Sequence, residues 1–307
     1  MTTETWIRLG SFVSLLVLFG LWEVFAPRRA LTARKAIRWI SNIGLVVLSS
    51  VVIALIPALA SMAMAHLAVE QQWGLFNHLN WPYPVAFLLS VVALDFIIYL
   101  QHVMFHAVPV LWRLHRVHHS DVDLDASSGI RFHVVEIVLS MVLKLAAIVT
   151  IGPPVLAVLV FEVLLNGTAL FNHANIKLPL QIDAMLRLFI VTPDMHRVHH
   201  SVIRRETDSN FGFNLSLWDR LCGTYRAQPE KGHEGMTIGI NAFREEREHW
   251  PTSRLTQWKK THHGMGKIDV NGRLVFDDEE HRFSCTGQQG VDHSWSTYGP
   301  REVSPGP

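Results

Sequence analysis

Three runs of closely spaced histidines could together hold metal ions. The runs are His102-x-x-x-His106, His115-x-x-His118-His119 and His196-x-x-His199-His200. The chain has 18 histidines among 307 residues. One HxxHH run would then arise by chance roughly 0.06 times and two runs roughly 0.002 times, so the pattern is not accidental. Because neutral imidazole is the commonest metal-binding side chain, the runs predict a metal centre built on nitrogen donors.

Helical spacing decides which of these imidazoles can share an ion. Residues three or four apart lie on one face of a helix, so His102 and His106 can converge on a single ion. The outer members of each HxxHH run can do the same. His118 and His119 are neighbours, about 100° apart around a helix axis, and can instead flank two ions. Eight imidazoles are too many for one tetrahedral zinc, so the runs predict two metals close together.

Two further histidines are candidate ligands. His173 lies at the end of an apolar segment, and His133 lies just before another. For each of them, a structural hydrogen-bonding role is the alternative. Cys222 and Cys285 form no CxxC pair, so thiolate ligation is not expected. Imidazole suits zinc, copper, iron or nickel alike, and the absence of HExxH removes the usual zinc-protease interpretation.

The segments that carry these histidines are predicted to be membrane helices. Hydrophobic residues make up 49% of the chain and charged residues 17%, less charge than soluble domains usually carry. The net charge of +1 gives no electrostatic case for binding nucleic acid. Segments long enough to cross about 30 Å of hydrocarbon are predicted at residues 6–26, 43–68, 84–101, 134–151 and 154–172. For the last two, a buried soluble hairpin is the alternative.

Basic residues predict the orientation of these spans. The positive-inside rule places the loop after the first span in the cytoplasm, because it is rich in basic residues, namely Arg28, Arg29, Arg34, Lys35 and Arg38. Counting spans then puts all three histidine runs on the cytoplasmic side. Residues 201–263 are mixed and polar and are expected to form a cytoplasmic cap. We expect the tail from about Gly264 to be loosely ordered.

Ionisable residues within a span are costly and usually face a partner or a cavity. Asp95 lies two turns before His102, and we expect it to accept a hydrogen bond from a ligand imidazole and so fix its tautomer. A hydrogen bond between packed helices is the alternative, and Tyr99 could serve in either way. Lys144 and Glu162 lie opposite each other in the hairpin of the last two spans, which predicts a buried ion pair.

The order of these motifs resembles the fatty acid hydroxylase/sterol desaturase superfamily. The motifs that carry the resemblance are the three histidine runs, Asp95 and Tyr99, Trp112 to His119, Arg131-Phe-His-x-x-Glu136, Asn210-Phe-Gly and Trp218 to Thr224. The resemblance implies a membrane di-iron oxidoreductase that uses O2 and two electrons on a lipid. Carried over residue by residue, it implies that the metal ligands are His102, His106, His115, His118, His119, His173, His196, His199 and His200.

Together these inferences predict an all-α integral membrane bundle with a di-metal site. The expected parts are N-terminal transmembrane helices in 1–80, a fatty acid hydroxylase catalytic domain in 81–225 and a partly disordered cytoplasmic extension in 226–307. The expected function is hydroxylation or desaturation of a lipid or sterol-like substrate with two iron ions and O2. No GxGxxG motif occurs, so we expect electrons from a ferredoxin or small haem protein and its NAD(P)H reductase. A zinc-dependent hydrolase and a metal transporter are the alternatives.

Overall fold

The chain divides into two units, Met1–Lys260 and Thr261–Pro307. The computed structural model describes residues 2–79, 81–245, 248, 250–259, and two strands in the second unit. These strands, β1 (Lys267–Ile268) and β2 (Leu274–Val275), pair in an antiparallel register. The predicted loosely ordered tail from about Gly264 otherwise lies outside the described residues.

The first unit is helical. Its longer helices and their short companions are α1 (Thr3–Phe25), α2 (Lys35–Ala54), α3 (Ser61–Glu70), α4 (Leu75–His78), α5 (Tyr83–Ala107), α6 (Pro109–His119), α7 (Val134–Ile151) and α8 (Val155–His173). Shorter helices follow at α9 (Leu180–Leu186), α10 (Pro193–His199), α11 (Arg204–Thr207), α12 (Leu217–Leu221), α13 (Gly232–Gly235) and α14 (Pro251–Arg254). Within the described residues, five helices are long and apolar enough to cross a membrane: α1, α2, α5, α7 and α8. The all-α class is therefore confirmed for this unit.

The predicted second span, residues 43–68, is wrong. α2 ends well before residue 68, and a 3-10 turn at Pro57–Leu59 separates it from α3. Proline has no N–H and disfavours helical backbone in the residue before it, and Ile56 accordingly leaves the helical region with φ −121° and ψ 80°. Because α2 begins earlier than predicted, Lys35 and Arg38 lie in its first turns rather than in the preceding loop.

The loop between α1 and α2 lies at the same end of the bundle as the histidine runs. Arg28 in this loop donates to Asp194, two residues before the third run, at 3.1 Å. Arg38 at the start of α2 donates to Asp121, two residues after the second run, at 2.7 Å. The predicted placement of the basic loop and the histidines at one end is therefore confirmed.

A proline-rich turn joins α7 to α8 at the opposite end. Gly152 makes this turn possible in two ways. Its φ of 66° is left-handed, a conformation that glycine adopts without steric cost. A Cβ on Gly152 would also lie 2.3 Å from the carbonyl oxygen of Trp73, so the α3–α4 connection can approach the turn closely.

A buried charge cluster ties four helices together within the apolar region. Lys144 of α7 lies 3.0 Å from Glu162 of α8, so the predicted ion pair is confirmed. Arg8 of α1 pairs with the second oxygen of Glu162 at 3.0 Å, and Ser61 of α3 donates to the first at 2.6 Å. Glu162 is 1% exposed. Its negative charge therefore holds α1, α3 and α7 against α8.

We expect Glu162→Gln to destabilise the protein more than Lys144→Met. The first variant leaves Lys144 and Arg8 without their counter-ion, and loss of one partner from a buried ion pair costs about 3–5 kcal/mol. After Lys144→Met, Glu162 keeps both Arg8 and Ser61. Denaturant unfolding in detergent micelles, followed by circular dichroism, measures the difference. Equal losses in the two variants would contradict a central role for Glu162.

Candidate metal centre

Nine buried histidines form two adjacent clusters. Within each cluster, one nitrogen from every imidazole lies within 4.8 Å of the corresponding nitrogens of the others. Cluster 1 consists of His102, His106, His115, His119 and His199, and cluster 2 of His118, His173, His196 and His200. No member is more than 4% exposed. These are the nine residues that the family resemblance implied as ligands.

Helix geometry distributes the runs between the two clusters. His118 and His119 lie side by side in α6 and belong to different clusters, as their angular separation predicted. His199 and His200 at the end of α10 divide in the same way. Each HxxHH run therefore contributes its two outer members to one cluster and its middle member to the other.

The helix starts fix the position of these runs. α10 begins at an N-cap, Thr192, whose hydroxyl accepts from the N–H of Met195, and Pro193 occupies its first turn. Pro109 likewise occupies the first turn of α6, directly after α5 ends. α6 therefore turns back from α5, and its histidines meet those of α5.

Backbone carbonyls orient four of the imidazoles. A carbonyl can only accept a hydrogen bond, so the Nδ1 atom that faces it must carry the proton. The pairs are His102 with Phe211 at 2.7 Å, His118 with Arg131 at 3.1 Å, His173 with Ala169 at 2.7 Å and His199 with Ser209 at 2.7 Å. In each of these rings Nε2 therefore has a free lone pair.

The facing lone pairs of cluster 2 show that the site suits a cation. Nε2 of His118 and Nε2 of His173 lie 3.1 Å apart, and neither carries a proton. Two lone pairs at this distance repel each other unless a positive ion lies between them. Nitrogen atoms bound to one metal at roughly 2.0–2.1 Å lie roughly 3 Å apart. The donor geometry therefore fits a metal ion held by Nε2 atoms.

Burial keeps five of the clustered imidazoles, on α6 and at α10, neutral. It lowers the pKa of His199 to about 3, and the other buried histidines add to this effect for the rest of the group. For the same reasons, the pKa values of four other imidazoles lie well below the usual histidine value, namely those of His118, His119, His196 and His200. A neutral imidazole can donate its lone pair to a metal at physiological pH.

The sequence around these histidines matches a known family. The sequence model of the fatty acid hydroxylase family matches residues 87–224, which include both clusters. Curated relatives whose names are those of a lipid monooxygenase and a lipid hydroxylase match more than half of the chain. The comparisons support placing this part of the chain, residues 87–224, in the fatty acid hydroxylase/sterol desaturase superfamily.

The matched relatives of this superfamily are longer proteins. Human alkylglycerol monooxygenase is 32% identical over 183 residues, which cover 58% of this chain and 39% of that protein. The ornithine lipid hydroxylase OlsE of Rhizobium tropici is 31% identical over 184 residues, 59% of this chain and 54% of that protein. Alkylglycerol monooxygenase of Xenopus tropicalis is 30% identical over 208 residues, which cover 66% of this chain and 45% of that protein. The chain thus spans about half, or less, of their length. No solved structure matches it.

Two carboxylates support cluster 1. Glu136 in the first turn of α7 lies 2.6 Å from Nδ1 of His115, and Asp208 lies 3.1 Å from Nδ1 of His106. Such partners orient a metal-binding ring and make it a stronger donor. The sequence pointed to Glu136 only through the motif Arg131-Phe-His-x-x-Glu136, and no local pattern pointed to Asp208.

In the described part of the chain, Asp95 and Tyr99 form their hydrogen bonds with residues after the third histidine run and not with an imidazole. Among the described residues, the partners of Asp95 belong to one segment, residues 214–218, and include no histidine. The carboxylate accepts from Asn214 at 2.8 Å and from Trp218 at 2.8 Å. The hydroxyl of Tyr99 lies 3.0 Å from that of Thr224. The expected contact of Asp95 with a ligand is thus replaced by the packing hydrogen bond that was its alternative.

His133 and His233 have other roles. His133 caps α7, and its Nδ1 accepts from the N–H of Val135 at 3.2 Å. It belongs to neither cluster. His233 is only 7% exposed and lies 3.7 Å from Asp194. Burial lowers the pKa of His233 to about 4.

We expect Gly129→Ala to weaken metal binding in cluster 2. A Cβ on Gly129 would lie 2.4 Å from the carbonyl oxygen of Ala169, which accepts from His173, and 3.2 Å from Nδ1 of His173 itself. The end of α8 must shift to relieve this clash. Loss of such supporting geometry typically costs about 10–100-fold in metal affinity.

Chelator competition measures this affinity. Gly44→Ala in α2 is the matched control, because a Cβ there would have no atom within 4 Å. Equal metal affinities in the two variants would contradict the prediction.

Proposed function

We propose that this chain is a multi-pass membrane oxidoreductase that uses O2 and external electrons to hydroxylate, or desaturate, a lipid. The observation that carries the proposal is the division of nine buried imidazoles into two adjacent clusters. The names of the curated relatives, two alkylglycerol monooxygenases and an ornithine lipid hydroxylase, support a lipid substrate. We further propose that the clusters face the cytoplasm.

The two clusters would each hold one iron ion. Bound iron would supply the activation of O2 and the oxidation of an unreactive C–H bond. The chain itself positions the imidazoles through backbone carbonyls and through Glu136 and Asp208. Burial of all nine rings excludes bulk water from the reacting atoms. The apolar helices that meet at the site offer a non-aqueous approach for a lipid chain.

A separate protein would deliver the electrons. We propose a ferredoxin or a small haem protein, reduced by an NAD(P)H-dependent reductase. It would dock on the surface formed by the residues from Ser201 onward, which pack next to the third histidine run. There the backbone N–H of Gly239 donates to the carbonyl of His200 at 2.8 Å.

The geometry favours this function over its two alternatives. A zinc hydrolase needs a carboxylate base beside an open metal position, whereas Glu136 and Asp208 are both engaged by ligand imidazoles. A transporter would place its ligands near the middle of the membrane along a pathway. Here both clusters lie at the end of the bundle that holds the α1–α2 loop.

Metal analysis combined with an oxygen-labelling assay tests the proposal. The purified chain in detergent should contain about two irons. With ferredoxin, its reductase and NADPH, it should place one atom of isotopically labelled O2 in an alkylglycerol or an ornithine lipid, or desaturate the chain. Zinc as the bound metal together with hydrolysis of the lipid would overturn the proposal. Full turnover with NAD(P)H alone would overturn the separate electron donor.

A further inference from the structure

We propose that Phe132 and Phe213 form the apolar wall against which the reacting carbon of the substrate is positioned. This inference rests on the proposed function and names two residues that would set its selectivity. It follows from the contacts of these rings with both metal clusters and with the apolar core of the bundle.

Phe213 joins the bundle core to both clusters. Its ring centroid lies 5.2 Å from that of His102 in cluster 1 and 6.2 Å from that of His196 in cluster 2. The same side chain packs in the main apolar core, formed by residues such as Leu94, Ile98 and Phe161 of α5 and α8. Phe213 therefore lies where the apolar interior of the bundle meets the gap between the clusters.

Phe132 makes the equivalent contacts from another segment. Its ring stacks on His118 of cluster 2 with a centroid distance of 4.5 Å and an interplanar angle of 8°. It also lies 6.3 Å from His115 of cluster 1. Phe132 is partly buried and packs against the same apolar core as Phe213.

Other aromatic neighbours of the site differ in this respect. In the described part of the chain, Phe132 and Phe213 are the phenylalanines whose rings contact both clusters. Phe211 contacts three imidazoles, all in cluster 1: His102, His106 and His199. It belongs to none of the apolar core clusters. Phe19 of α1 packs in a separate apolar cluster, with its ring centroid 5.6 Å from that of Phe171. It is the control for the same substitution at a buried ring.

Buried polar groups fix both rings. Asp95 accepts from the backbone N–H of Asn214 and of Leu215, at 3.3 and 3.2 Å, directly after Phe213. Arg131, directly before Phe132, donates to the carbonyl of Val117 at 2.6 Å and is fully buried. Rings held in this way can select one position along a flexible chain. Asp95 is thus a positioning residue for Phe213.

A lipid carbon that reacts at a two-metal site must come from the apolar side and lie near both clusters. The two phenylalanines occupy that boundary, so their volume limits what can stand beside the reacting carbon. Enlarging the space should admit a branched chain that the native rings reject. One methyl group in an apolar pocket changes selectivity by roughly 10-fold or more.

The experiment compares Phe213→Leu and Phe132→Leu with the control Phe19→Leu. The probes are hexadecyl glycerol ether and its analogue with a methyl branch near the ether oxygen. In zinc-loaded protein, where no oxidation occurs, displacement of a fluorescent alkylglycerol gives the affinity for each probe. In iron-loaded protein, mass spectrometry gives the position of the oxidised carbon. Phe213→Met and Phe132→Met, which keep more volume, replace any leucine variant that fails to bind two metals.

We expect the branched probe to gain about 10-fold over the straight one in Phe213→Leu and Phe132→Leu. Phe19→Leu should keep the wild-type ratio and the wild-type position of oxidation. If all three variants keep the wild-type ratio and position, the inference is wrong although the proposed function stands. If wild-type protein with two metals neither binds nor oxidises any lipid, the proposed function is wrong, and the inference that rests on it is wrong as well.

Discussion

Replacing His118 by alanine should remove the metal of cluster 2 and leave that of cluster 1, and replacing His119 should do the reverse. The two residues are adjacent in α6 and equally buried. They differ in the cluster that their imidazoles enter. Either substitution should lower activity by more than about 100-fold, because loss of a group that only orients a metal-binding side chain already costs up to about 100-fold.

Paired substitutions make this test independent of activity. His118→Ala with His200→Ala removes two imidazoles of cluster 2 and should leave half of the wild-type metal content. His118→Ala with His199→Ala removes one ligand from each cluster and should leave almost none. Metal content per chain, measured by plasma mass spectrometry, separates the two outcomes. Equal metal content in the two double variants would contradict the division into two clusters.

Local spacing was enough to predict this division. The angle between neighbouring residues on a helix is a property of the backbone, so the separation of His118 from His119 could be derived before any tertiary contact was known. The pairing of Lys144 with Glu162 also followed from local facts, because a tight turn joins two helices of similar length. In both cases the short distance along the chain fixed the geometry.

Contacts between distant segments could not be predicted in the same way. Asp95 lies on the same helix as His102, yet its carboxylate meets residues 214–218, more than a hundred positions later. The helix period gives the face of a residue but not the segment that packs against that face. The carbonyl of Phe211 and the carboxylate of Asp208 support imidazoles from loops that no periodic pattern identifies.

The second span shows a different limit. Apolar residues continue on both sides of Pro57, so hydropathy alone joined two segments that the backbone separates. Proline and the basic residues at the start of α2 were visible in the sequence. The position of Arg38 depends on where its buried partner lies, and that partner, Asp121, is in the loop that follows α6.

Arg38 holds the loop after α6 through a fully buried ionic network. Its guanidinium donates to Asp121 and to Asp125, each at 2.7 Å, and to the hydroxyl of Ser128 at 3.0 Å. Arg38 and both carboxylates have no exposed surface. Burial alone would raise the pKa of Asp121, but the charges of Arg38 and Arg131 hold it well below its usual value. The network therefore fixes the chain directly after His119.

We expect Arg38→Met to lower the free energy of unfolding by about 3–5 kcal/mol, because it leaves two buried carboxylates without their main counter-ion. Metal should also be bound less tightly, since Asp121 lies two residues after His119. Arg205→Ala is the control: its pair with Glu230 is exposed, so it should cost less than about 1 kcal/mol. Denaturant unfolding in micelles and chelator competition measure both effects. Adding Asp125→Asn to Arg38→Met should recover part of the loss, because it removes the buried charge that Arg38 paired with at 2.7 Å. A further loss of similar size would show that the two residues act independently.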